Sequence, residues 1–576
     1  MLPRTALPSL FLLLGYALLS SAAVLVDFQV AQPPPVPKDA KQCTIQVLQR
    51  DFAFSFGSAE VVELVPPTDC GPVGSWAAIT LNLTVTSNGT QFDRLGIFTF
   101  QNVEIWRTST PEPTRGDGII WTYIKDVTRY APLFAKPGTF IFQLDNLIET
   151  GLDGIYSTVV HATFFASSPP HPPAKKADLL VPLSNLRNDT GNDVSVPPAF
   201  SINVTLPRNS VQVFAELYAS GNGNEEFWYF NTPNQFLNAL PGFLGQGPFR
   251  EVRLLVDGQI AGAAYPYATI FTGGIVPTAW RPITSYGAMD LPTYFLDITP
   301  FVPILTDGQP HNISLDVTSA EEDHTILQNW FLSGVLQVFT DKSTKPTTGK
   351  ITQYTASPFS QTNTVGTVGE NGDVTFTVSA SRKIHIESTI VSGSGQVNHV
   401  VWSQNLQYTN LQNILDDTAI QDVLQMSSGT VLSTHNGVPV VVDDFSFPLG
   451  INFTLLDPSG DSFKATFDHS YNRDLLPFPA VVRSNIQERQ TASGFFLESP
   501  NGNTGNGTNS NVFSYVDQAG NTYSRVVDAV LNNITFDKQS GTLAPTSPPP
   551  HRGPLPFITG SVGKARLPSA RRVPST

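Results

Sequence analysis

Apolar and polar residues alternate in short runs along most of this 576-residue chain. Ile79–Thr86, Val211–Tyr218, Val252–Val256 and Val374–Val378 show the pattern clearly. A period of two gives a strand one apolar face and one polar face, so these runs predict half-buried β-strands. Asn-Gly, Asp-Gly and Ser-Gly pairs near their ends predict hairpins. Helical spacing is rare, and the best candidate is a short stretch from Asn413 to Met426. Many short strands between Gly and Pro turns predict an all-β chain of sandwiches or barrels.

Pro-rich and polar stretches divide the chain. A basic start at Arg4, an apolar run from Leu10 to Leu19 and the small residues Ser20–Ala23 describe a secretory signal over 1–23. The alternative is a membrane anchor, but the run is shorter than the roughly 20 residues a span needs. A Pro-rich linker over 24–40 follows, then a first domain over 41–167 and a spacer over 168–178. A second domain covers 179–341 and a third, β-rich domain 342–545. Residues 546–576 read as a disordered tail, with Arg552, Lys564, Arg566, Arg571 and Arg572 and no acid.

Composition removes several function classes. The net charge is −14, and the basic tail makes the remaining body more acidic still, so a phosphate backbone is not an expected partner. With 2 cysteines the chain builds neither a disulfide scaffold nor a Cys₄ zinc site. In a secreted chain Cys43 and Cys70 are expected to pair, two free buried thiols being the alternative. Asn82, Asn88, Asn188, Asn203, Asn312, Asn452, Asn506 and Asn533 head Asn-x-Ser/Thr sequons and are expected glycan acceptors. No cofactor or metal is indicated, and oligomeric state leaves no signal.

The chain has no Gly-x-Ser-x-Gly elbow, no His-Glu-x-x-His, and at Thr347–Lys350 only a P-loop ending that Ile351 spoils. His469 is the most suggestive histidine; its ordinary reading is a strand-end turn with hydrogen-bonded polar groups, and a metal or catalytic role is the alternative. Acid–base work therefore falls to carboxylates. Asp93 stands at the mouth of an apolar strand beside Arg94, which could keep it ionised as a base; a structural Asp–Arg brace is the alternative. Glu226 enters an aromatic run, and as a strand it would share a face with Trp228 and Phe230. A carboxyl beside an indole suits sugar chemistry; an aromatic core strand is the other reading. Trp280 and Arg281, in a Gly/Pro-rich loop, would line a ligand groove or plug a domain interface.

Several runs together resemble the acidic peptide:N-glycanase A family, and the later ones resemble its fungal members. They are Leu48–Gly57, Pro66–Cys70, Gln91–Arg94, Glu104–Pro113, Gly118–Tyr130, Asp145–Ile148, Glu226–Tyr229, Phe271–Gly274 and Trp280–Pro282, then Ser433–Gly437, Phe467–Arg473 and Gln487–Gln490. The likeness extends over about 40–540. It implies a secreted amidase that hydrolyses the bond between the first GlcNAc of an N-glycan and Asn, on glycopeptides or glycoproteins. It implies two antiparallel jelly rolls packed side by side, with the third domain added. Bacterial glycanases of the F type open a strand with Trp-Asp-Arg, whose Asp is essential, and Phe92–Asp93–Arg94 looks like the counterpart.

The same likeness makes Glu226 the second acid and places a third near Asp145. Asp93 would activate water, Glu226 would hold the amide and help the amine leave, and Arg94 would orient Asp93. Trp228, Trp280 and Arg281 would line the groove. A glycan-binding protein without catalysis and a glycosidase using Asp93 and Glu226 are the competing functions.

Overall fold

Strands form where the alternation is cleanest. In Trp76–Asn88, Leu81, Leu83 and Val85 point inward while Asn82, Thr84 and Thr86 face outward. The structure, a computed structural model, describes residues 24–185, 195–478, 482–499 and 503–545. The expected signal, Asn188 and the basic tail lie outside the described residues.

The first pair of sheets contains β1 (Leu25–Asp27), β2 (Gln42–Phe52), β3 (Glu60–Leu64), β4 (Trp76–Asn88), β5 (Leu95–Phe100), β6 (Val103–Ser109), β7 (Ile119–Asp126), β8 (Gly138–Leu144) and β9 (Ile155–Ala166). One sheet runs β1-β7-β4-β9-β2 and the other β3-β8-β5-β6. Between them Phe98 stacks on Phe142 at 4.0 Å and on Trp106 at 4.8 Å. Cys43 and Cys70 are joined in a disulfide.

The second pair contains β10 (Leu179–Leu183), β11 (Ser195–Val196), β12 (Phe200–Val204), β13 (Ser210–Asn222), β14 (Glu251–Val256), β15 (Gln259–Ala264), β16 (Tyr294–Asp297), β17 (His311–Thr318) and β18 (Asn329–Thr340). Its sheets run β10-β18-β13-β16 and β12-β17-β14-β15, with β11 also on β18. With β1 and β11 set aside, both pairs use one order: first, eighth, third and sixth strands in one sheet, second, seventh, fourth and fifth in the other. The two pairs meet through a buried ion pair. Arg107 binds Glu104 at 2.7 Å and reaches across to Ser220 Oγ and the Phe331 carbonyl, both at 2.8 Å. Four hydrogen bonds from the buried guanidinium, two of them to Glu104, offset its desolvation.

The remaining strands, from Thr348–Ala356 to Asn533–Ser540, form one antiparallel sheet of eleven strands in near-sequential order. Its inner face lies on the second pair. There Trp402 donates to the Ala261 carbonyl at 3.0 Å, and Gln404 exchanges two hydrogen bonds with Ala263 at 2.8 and 2.9 Å.

Three expectations change. The stretch from Asn413 to Met426 is not a helix but the end of one strand (Val397–Leu415) and the start of the next (Ile420–His435). Gln412, Gln421 and Gln425 hold buried positions there, so amides stand where apolar residues would have revealed the period of two. The run holding Glu226, Trp228 and Phe230 is not a strand. β13 ends at Asn222, and two 3₁₀ turns follow, Gly223–Glu225 and Trp228–Phe230. The segment over 24–40 is more than a linker: β1 pairs in parallel with β7, Phe28 bridges Ile283, and Val30 is buried.

Candidate active site

Antiparallel pairing gathers one set of loops at one end of the first sheets. Phe52 stands opposite Tyr156, Asn88 opposite Ile155, Gly96 opposite Leu144 and Leu95 opposite Ser109. The loops after β2, β4, β6 and β8 therefore emerge together, and Asp93 lies in the second of them.

Asp93 is fixed by its neighbours' backbone. The Tyr156 hydroxyl donates to the Phe92 carbonyl at 2.7 Å. On the other side Thr110 Oγ accepts from the Arg94 amide at 2.9 Å, and the Thr110 amide donates to the Arg94 carbonyl at 3.0 Å. The side chain is 7% exposed, and its buried Oδ1 has no hydrogen-bond partner. A carboxylate oxygen held dry and unsatisfied is costly for folding and available to a ligand. The Arg94 guanidinium binds Gln91 Oε1 and Asn146 Oδ1, which ties the corner to the loop after β8.

Asp145 serves the loop after β2. Its carboxylate accepts from the Gly57 amide and from Gln143, each at 3.1 Å. Ser55 bonds both the Leu144 carbonyl and the Asn146 amide. This pinning leaves Phe54 and Phe56 at 68% and 64% exposure on the same end as Asp93.

Glu225 and Glu226 are both buried. Glu225 is fully buried and satisfied by Arg250 at 2.7 Å, Trp330 Nε1 at 2.8 Å and the Leu327 amide at 2.7 Å. Glu226 follows at 8% exposure, beside Tyr229. Burial raises the Tyr229 phenol well above its ordinary range, and the neighbouring Glu226 charge raises it further.

The Phe271–Gly274 loop lies between the two acidic segments. Thr272 Oγ donates to the Thr110 carbonyl. Gly273 packs directly on the Glu112 carboxyl, where any side chain would overlap it, and Gly274 faces the edge of the Phe227 ring. Arg281 donates to the Glu112 carbonyl at 2.9 Å and stands 3.8 Å from its carboxylate. The segments carrying Asp93 and Glu226, from different sheet pairs, thus flank one short loop.

Trp228 and Trp280 do not line an open groove. They are 3% and 1% exposed. Trp228 packs at 5.9 Å from Trp330, while Trp280 donates to the Gly274 carbonyl and packs at 4.8 Å on Phe467 of the large sheet. Their partners lie far away in sequence, and of the two readings left open for each, burial matches an aromatic core for Trp228 and an interface for Trp280. His469 is also buried, stacked on Tyr267 at 4.7 Å, and burial pushes its pKa down to about 3.

Two acids near the site carried no assignment from the sequence. Glu112 sits within Glu104–Pro113, a run quoted above without a role. Asp27 lies on β1, where the alternation Leu-Val-Asp-Phe-Gln-Val was hidden by the prolines after it. Burial pushes the Asp27 carboxyl up to about 7 against the pull of Arg281, and neither of its oxygens has a hydrogen-bond partner.

Residues 32–357 match the family model described as peptide N-acetyl-β-D-glucosaminyl asparaginase amidase A, and residues 375–449 match the PNGase A C-terminal domain. The chain is 35% identical over 426 residues to peptide-N4-(N-acetyl-β-glucosaminyl)asparagine amidase A of Prunus dulcis, covering 69% of this chain and 71% of the relative.

Proposed function

The chain belongs to the peptide N-acetyl-β-D-glucosaminyl asparaginase amidase A family, and from that premise we propose that Asp93 and Glu226 carry its chemistry. The protein is a hydrolase that cleaves the carbon–nitrogen bond between GlcNAc and Asn of N-glycopeptides. Hydrolysis of that amide turns Asn into Asp and frees the glycan as a glycosylamine.

Asp93 takes a proton from water as its oxygen attacks the side-chain carbonyl carbon. Glu226 holds the amide and directs a proton to the departing nitrogen as the C–N bond breaks. Arg94, bound to Gln91 and Asn146, keeps the Asp93 corner in place. Arg281 holds the Glu112 segment against the intervening loop. Phe54 and Phe56, with Asp145 behind them, form the outer wall that the substrate meets. The observation that carries this assignment is the dry, unsatisfied Asp93 Oδ1 between two backbone clamps.

Mass spectrometry of a glycopeptide digested in heavy-oxygen water tests it. The expected product is a peptide with labelled Asp and no sugar. Asn still bearing one GlcNAc would mark a glycosidase, and an intact substrate a lectin. Asp93→Asn should stop release while the protein stays folded.

The strand order shared by the two sheet pairs supports reading each as a jelly roll, packed side by side as two domains over 41–167 and 179–341, with the large sheet as a third over 342–545. Among the described residues no helix is long and apolar enough to cross a membrane, and with the apolar start of the chain this supports a secreted enzyme. The described sequon asparagines lie on strands and none is buried, which supports reading them as glycan acceptors. The runs Ser433–Gly437, Phe467–Arg473 and Gln487–Gln490 support a place among the fungal members of the family.

A further inference from the structure

The Glu226 segment is gripped from two sides. In front, Glu225 is anchored to Arg250, Trp330 and the Leu327 amide. Behind, three carbonyls of the same segment point at the large sheet. Asn410 Nδ2 donates to the Tyr229 carbonyl at 3.0 Å. Gln412 Nε2 donates to the Tyr229 and Asn231 carbonyls at 3.1 and 3.4 Å, and Gln421 Nε2 to the Phe230 carbonyl at 3.2 Å.

These amides also bond one another. Gln421 donates to Gln412 at 2.9 Å, Gln412 to Asn410 at 3.0 Å and Asn410 to Gln425 at 3.1 Å, and Tyr408 closes the row on Gln425 at 2.7 Å. All five side chains are buried. The row has one arrangement at its centre, because turning Gln412 or Asn410 over sets donor against donor at one neighbour and acceptor against acceptor at the other.

We propose that Asn410, Gln412 and Gln421 are positioning residues for the hydrolysis: they set the Tyr229–Asn231 backbone, and through it the place of Glu226. The inference rests on the reading of Glu226 given above. The large sheet, which contributes no acid to the reaction, thereby becomes part of the catalytic apparatus. Tyr229 links the two, since its carbonyl takes two of the amide bonds and it stands three residues after Glu226 in the same segment.

The test is a double-mutant cycle on the full-length enzyme with a glycopeptide substrate. Gln412→Leu keeps the volume and removes the donor. It should lower kcat by about 10²-fold with little change in KM, the size of effect expected when a catalytic group is misplaced by roughly 1 Å. Glu226→Gln should lower kcat on its own. In its background Gln412→Leu should cost nothing more, because a residue acting through Glu226 has nothing left to position.

Gln404→Leu, on the same face but bonded to Ala263, is the control and should leave kcat unchanged. If Gln412→Leu does not fold, Gln421→Leu takes its place in the cycle. An unchanged kcat in Gln412→Leu, or losses that multiply in the double variant, would overturn the inference while leaving Glu226 in its role. Full turnover by Glu226→Gln would remove that role and the inference with it.

Discussion

Asp93 owes its position to bonds made by other residues, and this makes its own removal diagnostic. Tyr156 and Thr110 hold the backbone on both sides, so Asp93→Asn leaves the corner standing. Turnover should fall by about 10²–10⁴-fold, the usual contribution of a general base, with the melting temperature unchanged or higher. Steady-state kinetics beside a thermal melt decide it. Asp27 provides a second single-residue test. Burial raises its carboxyl from 3.8 to about 7, so the folded chain holds a proton that the unfolded chain releases. Its contribution to stability is present in full below pH 3.8 and is lost as pH rises through about 7, a change of about 4 kcal/mol. Asp27→Asn should therefore gain stability over the natural protein at pH 7.5 and lose that advantage near pH 4, as urea unfolding at the two values would measure. An advantage that does not vary with pH would contradict the assignment.

Strands whose core face is apolar were legible in the sequence. Leu81, Leu83 and Val85 announce β4, and the segments singled out within Val211–Tyr218 and Val252–Val256 lie in β13 and β14. Legibility failed where the buried side of an element is polar or belongs to a distant partner. The amides at 412, 421 and 425 made two strands read as a helix, and the aromatic residues after Glu226 fold into 3₁₀ turns because the large sheet bonds their carbonyls. For the site, the segments of Asp93 and Glu226 could be picked out, but not that the Phe271–Gly274 run lies between them, nor which reading of Trp228 and Trp280 holds. The close seating of elements gives its own prediction. Gly507 lies directly under the Thr278 carbonyl, with no room for a side chain. Gly507→Val should push the turn Pro277–Trp280 off the sheet and cost about 1–3 kcal/mol in chemical denaturation. The disulfide acts on the first sheets alone, where it ties β2 to the loop before β4 across 27 residues. Replacing Cys43 and Cys70 together by Ser should lower stability by about 3–4 kcal/mol in the chain-entropy model, read as a fall in melting temperature.

At the scale of the whole molecule, the large sheet covers what the second sheet pair cannot bury by itself. Trp280, Phe249 and Tyr265 are all at most 1% exposed, and their environment includes Phe467 and Tyr408 from the sheet and Ser360 from a connection between two of its strands. A chain ending at residue 341 should therefore expose this apolar surface, aggregate and release no glycan. Soluble yield and activity beside the full-length enzyme would show it, and a soluble active fragment would contradict it. The order of synthesis gives the same contacts another meaning. The chain leaves the ribosome from its N-terminus, so Asp93 and Glu226 are made long before Asn410, Gln412 and Gln421, and before Asn509, which holds the Ala279 and Ile283 carbonyls at 2.8 and 3.1 Å. A nascent chain whose acids are complete still has an unset site. With that positioning role, the hydrolase becomes competent only once nearly all of it has emerged, and the parts made first cannot cut glycosylated neighbours during synthesis.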